Sequence, residues 1–307
     1  MEYHLIYNPT ARSGRSKTDF NMIVERLRGK DIDFEYTLTK KKDEAIDIAR
    51  GITNDRASVV VAVGGDGTMG EVITGIIQQP KDKQPILGVL HIGTSPDFPR
   101  YHGIPIPPAA AVDFLLKAKP TPIDVGKITY WDFAKEKQQT SYFGCNANIG
   151  LGPMIASKYG NRYRTLLGDF GGTLLATLVS LAQNKNSKVI IETEAGWQEL
   201  DNLINLTVGK DPFLASGMRI PIDIACDDGK LFYMALQSRS KVKLLTQLPR
   251  LYSGNILDFP GASFGRCRKM KISSKDLSLI EFDGDVRGRL DATVEIMPRA
   301  IRVLKKL

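Results

Sequence analysis

The chain has 307 residues, of which 42% are hydrophobic, 8% aromatic and 25% charged, so it can bury a large core and is neither disordered nor a coiled coil. Its net charge of +8 implies attraction to something anionic, such as nucleic acid, nucleotide phosphates or an acidic membrane surface. No signature of a nucleic-acid-binding module is present, and we therefore expect no nucleic acid partner. The basic clusters at 40–42, 266–271 and 302–306 are first interpreted as solvated surface.

The three cysteines, Cys145, Cys226 and Cys267, are far apart in the sequence. Their number and spacing fit neither a disulfide framework nor a zinc site, and are typical of a reducing cytoplasm. The first residues lack the pattern of a secretory signal, and no apolar run has the length of a membrane span. We therefore expect a cytoplasmic protein without a transmembrane segment.

The first 121 residues repeat a strand, a loop and a helix. Strands are predicted over 4–7, 32–38, 59–63 and 86–92, and helical spacing follows over 20–27, 43–50, 69–77 and 109–118. This alternation predicts an α/β domain over 1–121 with a parallel, doubly wound sheet. Because ligands bind beyond the carboxyl ends of such strands, the loops at 8–15, 64–68 and 93–98 are expected to converge on one site.

The central stretch is Val59–Met69, in which a β-branched strand ends in Gly64-Gly65-Asp66-Gly67-Thr68 and opens onto a helix. Glycines there are expected to take conformations that a side chain would forbid, and the helix N-terminus to face a phosphate. A carboxylate beside a phosphate is repulsive unless a cation lies between them, so Asp66 indicates magnesium held with a nucleotide. The alternative is a tight turn in which Asp66 caps the helix.

The pattern changes at Pro120-Thr121-Pro122, where we expect a second domain to begin. Predicted strands at 123–129, 141–147, 189–194, 203–209, 231–236 and 269–273 are separated by turn residues. They predict a β-rich, mostly antiparallel sheet or sandwich over 122–294, interrupted by one helix over about 166–183. Residues 295–307 are expected either to end the second domain or to pack again with the first.

The motifs together resemble those of the diacylglycerol-kinase catalytic-domain family of lipid kinases, which includes bacterial diacylglycerol kinases and the sphingosine and ceramide kinases. The resemblance covers nearly the whole chain. It rests on Asn8-Pro9 with Ser13-Gly14, Gly64 to Thr68, Gly93-Thr94 with Asp97-Phe98, Asp227 to Leu231, and Phe282-Asp283-Gly284-Asp285. Gly-Gly-Asp-Gly-Thr alone is shared with NAD kinases and phosphofructokinases, so the other motifs narrow the family.

The resemblance implies a nucleotide domain of the NAD kinase and phosphofructokinase type, a β-rich lipid-substrate domain, and a cleft for ATP between them. Residues expected near the nucleotide are Asn8, Pro9, Thr10, Ser13, Thr39, Gly64, Gly65, Asp66, Gly67, Thr68, Gly93 and Thr94. Asp285 matches the general base, Asp66 would organise Mg²⁺ through water, and Asp283 of the same acidic motif is expected among the catalytic residues with them. In bacterial members a structural magnesium lies where Asp228 would supply a carboxylate and Ala225 and Lys230 their carbonyls.

Two departures leave alternatives open. The third motif has Pro96 and Pro99 where the family usually has Asn and Ala, and Asp285 replaces Glu, which shortens the reach of the carboxylate by about 1.5 Å. A catalytically degenerate member that binds nucleotide or lipid and acts by regulation is therefore one alternative. An NAD kinase-like enzyme is another, although the Asn8-Pro9 loop fits lipid kinases better.

The leading expectation is a magnesium- and ATP-dependent kinase for a hydroxyl of a lipid such as diacylglycerol. Its positive charge favours peripheral association with an anionic membrane surface, where an insoluble substrate is found. The identity of the lipid and the oligomeric state are left open, with a homodimer as one alternative.

Overall fold

The computed structural model describes residues 2–14, 16–154, 179–180, 187–214, 218–240, 259–276 and 278–306. The chain divides into two compact units. The first comprises Met1–Val125, Tyr142–Gly144 and Pro298–Leu307, and the second comprises Gly126–Ser141 and Cys145–Met297. The sequence-based division fell at residue 121 and left 142–144 in the second domain. The predicted helix over 166–183 lies outside the described residues except for 179–180.

The first unit alternates strands with helices as expected, except that an additional, unpredicted helix follows its fourth strand. Its elements are β1 (Tyr3–Tyr7), α1 (Lys17–Arg28), β2 (Phe34–Leu38), α2 (Glu44–Arg50), β3 (Val59–Gly64), α3 (Asp66–Ile77), β4 (Ile86–His91), α4 (Asp97–His102) and α5 (Pro108–Leu115). The strands lie in the order β2-β1-β3-β4, and each neighbouring pair is parallel. The doubly wound arrangement of the helices stays a prediction.

Alternate side chains of the central strands build the core of this unit. Val59, Val61 and Val63 of β3 pack in one cluster with side chains of β1, β4, α1 and α5, because residues two apart on a strand share a face. All six residues of β3 are buried, as expected for a parallel strand covered on both faces. Burying each valine or leucine side chain contributes roughly 1.5 to 3 kcal/mol, so this cluster holds the carboxyl ends of the strands in register.

The second unit is rich in strands. The remaining elements are β5 (Lys119–Asp132), β6 (Lys137–Phe143), β7 (Asn146–Gly150), α6 (Leu151–Met154), β8 (Ser187–Thr193), β9 (Gly196–Gly209), β10 (Phe213–Leu214), β11 (Met218–Arg219), β12 (Leu231–Gln237), β13 (Ala262–Cys267), β14 (Lys269–Ser274), β15 (Leu279–Phe282) and β16 (Asp285–Lys305). The β13-β12-β9-β7-β15-β16 path and the pairings of β8 with β9 and β14 are antiparallel. The single strand predicted over 141–147 is instead the end of β6 and the start of β7. Within the described ranges, no helix is both long and apolar enough to cross a bilayer.

Helix α3 lies close against α2 at Gly75. A Cβ added to Gly75 would lie 2.7 Å from the Ala49 Cβ and would overlap the carbonyl oxygen of Ile46. We expect Gly75→Ala to lower the free energy of unfolding by about 1 to 3 kcal/mol, because overpacking outweighs the gain in helix propensity. Urea titration measures the loss.

Gly51→Ala is the matched control, since its Cβ would come no closer than 3.5 Å to a neighbouring atom and its φ is −83°. We expect it to change stability by less than about 0.5 kcal/mol. Equal stability of the Gly75→Ala and Gly51→Ala proteins would contradict the tight approach of the two helices.

Candidate functional site

The turn between β3 and α3 places Asp66 as the first residue of a twelve-residue helix. Gly65 is the N-cap, with φ −94° and ψ −175°, so Asp66 does not cap the helix as the alternative interpretation required. None of Gly64, Gly65 and Gly67 has a positive φ. The expectation that these glycines adopt conformations forbidden to side chains is therefore wrong, and their role has another cause.

That cause is the close approach of two loops. A Cβ on Gly64 would lie 2.5 Å from the Thr68 Oγ1, and a Cβ on Gly93 would overlap the Cα of Gly65. The Ile92 amide donates to the Gly64 carbonyl at 2.9 Å. The backbones that follow β3 and β4 are thus in direct contact, which requires glycine at position 93, whereas the crowding at Gly64 comes from the Thr68 side chain of the same turn.

The loop after β1 joins the same edge of the sheet. The Asn8 amide donates to the Val63 carbonyl at 3.0 Å, and the Asn8 Nδ2 donates to the Thr68 Oγ1 at 3.0 Å. Thr10 donates to the Asn8 Oδ1 through its amide at 3.0 Å and its hydroxyl at 2.7 Å. Thr39, buried after β2, donates its amide to the Tyr7 carbonyl at 2.9 Å.

The structure therefore brings together most of the residues predicted to bind nucleotide. Pro9 lies between Asn8 and Thr10 in the first loop, and Thr94 follows Gly93 after β4. The side chain of Ser13 lies outside the described part of the chain. Nucleotide binding by this set stays a prediction.

The electrostatics of this edge centre on Asp66 and His91. The His91 Nε2 lies 3.7 Å from the Asp66 Oδ1, but burial lowers the pKa of His91 to about 4, with smaller contributions from Arg100 and Arg12. The imidazole is therefore neutral near pH 7 and forms no ion pair with the carboxylate. Asp97, 8% exposed, accepts a hydrogen bond from the Ser95 Oγ at 2.8 Å. Carboxylate oxygens of this kind are the ligands that Mg²⁺ prefers.

The second unit carries the other predicted acidic motif on the turn between β15 and β16. Phe282 pairs with Asp285 across the hairpin, and the connecting residues Asp283 and Gly284 have φ values of 49° and 86°. Two positive φ values define a type I′ turn, for which Asp-Gly is a preferred sequence. The Asp283 Oδ1 accepts the Cys145 amide at 2.9 Å, so this buried carboxylate anchors the turn.

Asp285 is presented at the first position after the turn. Its side chain is 38% exposed and accepts a hydrogen bond from the Arg287 Nη2 at 3.0 Å. Arg287 is itself buried, with its guanidinium 5.4 Å from the centre of the Phe282 ring. The arginine therefore orients the carboxylate while leaving it accessible to solvent.

Comparison with known proteins decides the family. Residues 2–128 match the diacylglycerol kinase catalytic domain, and residues 152–305 match the YegS C-terminal NAD kinase beta sandwich-like domain. The chain belongs to the diacylglycerol kinase catalytic-domain family. It is a lipid kinase by this membership, which confirms the resemblance found in its motifs.

Individual relatives agree over nearly the full length. The diacylglycerol kinases of Staphylococcus carnosus and Staphylococcus aureus are each 25% identical over 300 residues, 97% of this chain and 93% and 90% of theirs. A solved diacylglycerol kinase structure from Bacillus anthracis has a TM-score of 0.70 at 19% identity, covering 99% of this chain and 97% of that one. Yeast NADH kinase has a TM-score of 0.54 at 10% identity, covering 100% and 84%, so the fold extends to that class.

The departure from the family pattern in the third motif fits the local helix. Pro96 is the N-cap of α4, and Pro99 lies in its first turn, where a backbone N–H has no partner within the helix. The Ser95 hydroxyl hydrogen-bonds Asp97 in this loop. The two prolines are thus compatible with the fold, although they remove donors that an asparagine and an alanine would offer.

The predicted ligands of a structural magnesium contact a different cation. The Lys210 ammonium contacts the Asp228 Oδ1 and donates to the Lys230 carbonyl at 2.9 Å. Burial raises the pKa of Asp228, but hydrogen bonds from Lys210 and from the amides of Lys230 and Ala225 outweigh burial, so the net shift is downward. The described residues hold no group of three or more His, Cys, Asp or Glu side chains suited to a metal. The two oxygen atoms therefore do not fit a magnesium ion while Lys210 occupies them.

Sequence reasoning missed Glu281, which lies beneath the acidic hairpin. Its Oε1 accepts the Gly284 amide at 2.6 Å, and its Oε2 accepts the Asn148 Nδ2 at 2.9 Å. Burial raises the pKa of Glu281 to about 7, with repulsion from Asp283 and Asp285 adding to the shift. Glu281 lies in β15, a strand of four residues that was not predicted, so its position beside the hairpin could not be inferred from the sequence. Glu281 acts as a positioning residue that clamps the turn carrying Asp285.

A pH experiment tests this assignment. Because the folded-state pKa of Glu281 is raised from 4.5 to about 7, its contribution to stability is fully present below pH 4.5 and is lost as the pH rises through 7. Glu281→Gln cannot ionise, so we expect the variant to gain up to roughly 3 kcal/mol relative to the parent between pH 4.5 and pH 8.

Urea unfolding of both proteins at several pH values measures this difference. The comparison uses the pH dependence and not the absolute stability, since the glutamine also changes one hydrogen bond to Asn148 or Gly284. Parallel pH profiles for parent and variant would show that Glu281 is ionised normally.

Proposed function

We propose that this lipid kinase transfers the γ-phosphoryl group of ATP to a hydroxyl of a diacylglycerol-like lipid, with Mg²⁺ as cofactor. The observation that carries the proposal is the contact between the loops after β1, β3 and β4 at one edge of the parallel sheet. This contact joins Asn8 to Thr68 and Gly65 to Gly93. Diacylglycerol is the first acceptor to test because the Staphylococcus relatives are diacylglycerol kinases.

The loop edge is suited to phosphate for two reasons. The N-terminus of α3, a helix of twelve residues, presents the backbone amides of its first turn and the positive end of the helix dipole. A Cβ added to Gly65 would have one neighbouring atom within 4 Å, the Cα of Gly93 at 3.5 Å. The backbone at Gly65 therefore has space beside it for a phosphate group. Asn8, Thr10 and Thr39 would add side-chain donors around the nucleotide, with Thr94 from the loop after β4.

Mg²⁺ would be held beside Asp66, whose Oδ1 lies 3.7 Å from the Nε2 of the neutral His91. The ion supplies charge that offsets the phosphoryl oxygens during transfer. Arg12 and Arg100, which depress the pKa of His91, add positive potential at the same edge.

Asp285 is the candidate general base for the acceptor hydroxyl. A carboxylate that takes the lipid proton must reach the hydroxyl, and the partly exposed position of Asp285 after the turn allows this. Asp283, whose carboxylate binds the Cys145 amide, would support the hairpin and not the proton transfer. The positive net charge would favour an anionic membrane surface, where the lipid is found.

A regulatory protein without turnover is the second candidate. It is favoured by the hydrogen bond from Arg287 to Asp285, since this bond engages one oxygen of the carboxylate that would have to reach the acceptor hydroxyl. An NAD kinase-like activity is the third, in line with the fold shared with yeast NADH kinase. The two enzymes differ in acceptor and the regulatory protein transfers no phosphate, so one assay separates all three candidates.

The decisive assay follows labelled phosphate from ATP to lipid in mixed micelles, with diacylglycerol, a sphingoid base and NAD⁺ as separate acceptors. We expect label in the diacylglycerol product, and only when Mg²⁺ is present. Asp285→Asn should lower kcat by about 10²- to 10⁴-fold without changing the KM for ATP, because a general base contributes that much. Asp201→Asn, on an exposed side chain of the same unit, is the matched control.

Two results would contradict the kinase proposal. Transfer to NAD⁺ alone would indicate the third candidate. Absence of transfer from a folded, nucleotide-binding protein would indicate the second, and a gain of activity in Asp285→Glu would then show that reach is what the parent lacks.

Nucleotide binding is tested separately with Gly65→Ala. The added methyl group meets the Gly93 Cα at 3.5 Å, an ordinary contact, so the protein should fold with its Tm unchanged within about 2 °C. It would still obstruct the backbone approach to phosphate, and we expect ATP affinity to fall at least about tenfold in calorimetry. Gly51→Ala controls for the methyl group, and equal affinity in both variants would place the nucleotide elsewhere.

A further inference from the structure

A buried lysine lies at the point where β9 ends and β12 begins. Gly209, the last residue of β9, pairs with Phe232 in β12, so Lys210 lies opposite the loop that leads into β12. The Lys210 amide donates to the Cys145 carbonyl at 3.0 Å, which fixes its backbone. Only 2% of the Lys210 side chain is exposed, an unusual degree of burial for lysine.

The loop that leads into β12 supplies hydrogen-bond acceptors for the buried ammonium. It contacts the Asp228 Oδ1 and donates to the Lys230 carbonyl oxygen at 2.9 Å. The Lys230 amide donates to the same Asp228 oxygen at 3.0 Å, and the Ala225 amide also binds this carboxylate. A charge removed from water is tolerated only with such partners, so the loop and the lysine depend on each other.

We propose that the Lys210 ammonium takes the place of a divalent cation in this loop, so that the second unit folds without a structural metal. The resemblance to bacterial diacylglycerol kinases implied magnesium on the Asp228 carboxylate and the carbonyls of Ala225 and Lys230. Two of those three groups are bound by Lys210. The amide of the third residue, Ala225, hydrogen-bonds the Asp228 carboxylate.

Both cations cannot be held at once. Mg²⁺ requires oxygen ligands at about 2.0 to 2.1 Å in a nearly octahedral shell, whereas an ammonium hydrogen-bonds the same oxygens at about 2.8 Å. The two positive charges would then lie within a few ångströms of each other in a partly desolvated loop, where their repulsion is strong. The tethered ammonium has the advantage, because it loses no translational freedom when the chain folds.

The first test uses the unmodified, nucleotide-free protein, in which the proposed kinase site has no ATP with which to bind Mg²⁺. Its Tm is measured in excess magnesium chloride and in EDTA at matched ionic strength. We expect the two values to agree within about 1 °C, since an ion that binds only the folded state would raise Tm. A Tm clearly higher in magnesium would overturn the proposal.

The second test removes the ammonium. Lys210→Met keeps the unbranched apolar part of the side chain but leaves Asp228 without its cation, and we expect Tm in EDTA to fall by roughly 10 °C. Lys271→Met is the matched control, because Lys271 pairs with Glu192 at 3.2 Å but both side chains are more than half exposed. Its Tm should change by less than about 2 °C. Equal effects of the two substitutions would overturn the proposal.

The double variant Lys210→Met/Asp228→Asn keeps the test valid if Lys210→Met alone does not fold. Removing both charges leaves no unpaired buried ion, so we expect the double variant to melt above Lys210→Met and nearly equally in magnesium and EDTA. Additive losses from the two substitutions would show that Lys210 and Asp228 are not coupled, and would overturn the proposal. Melting curves need no substrate, so these results are independent of kinase activity.

Discussion

The contact between the backbones of Gly65 and Gly93 is the constraint on which the first unit depends. Parallel strands direct their carboxyl ends to one edge, but the loops there diverge unless something lets them touch. At this edge the two loops approach so closely that a Cβ on Gly93 would overlap Gly65. The hydrogen bond from Asn8 to Thr68 then ties the first loop to α3. The apolar core thus fixes the strands relative to one another, and the glycines allow the loops after β3 and β4 to touch.

In the acidic hairpin of the second unit, three carboxylates lie close together and would repel one another if all were charged and unpaired. Asp283 is neutralised in part by the Cys145 amide, Asp285 by the Arg287 guanidinium, and Glu281 by a raised pKa. Each carboxylate thus has a distinct means of reducing its charge or sharing it. Only Asp285 combines a cationic partner with appreciable exposure, which separates the candidate base from the two groups that support it.

Sequence patterns predicted the first unit better than the second, for physical reasons. Buried parallel strands such as β3 are continuous apolar runs, and the apolar residues of helices such as α3 recur every three or four positions. Both patterns are visible in the sequence alone. The strands of the second unit are interrupted by charges, so β13, β15 and the long β16 were not recognised and β6 and β7 were merged. The motif residues were found by type and order, yet the reason for the glycines was misjudged, because close approach between distant loops leaves no local signal.

Lys210 and His91 show why partners of acidic motifs are difficult to predict. Both lie far in sequence from the carboxylates they approach, and neither belongs to a recognisable pattern. Yet they have opposite consequences: burial makes His91 neutral, so it forms no ion pair with Asp66, whereas the Lys210 side chain is paired with Asp228. Two Asp-Gly motifs that look alike in sequence therefore have buried neighbours of different charge, a neutral histidine beside Asp66 and a paired lysine beside Asp228. Such a neighbour comes from a distant part of the chain, so the motif alone does not predict it.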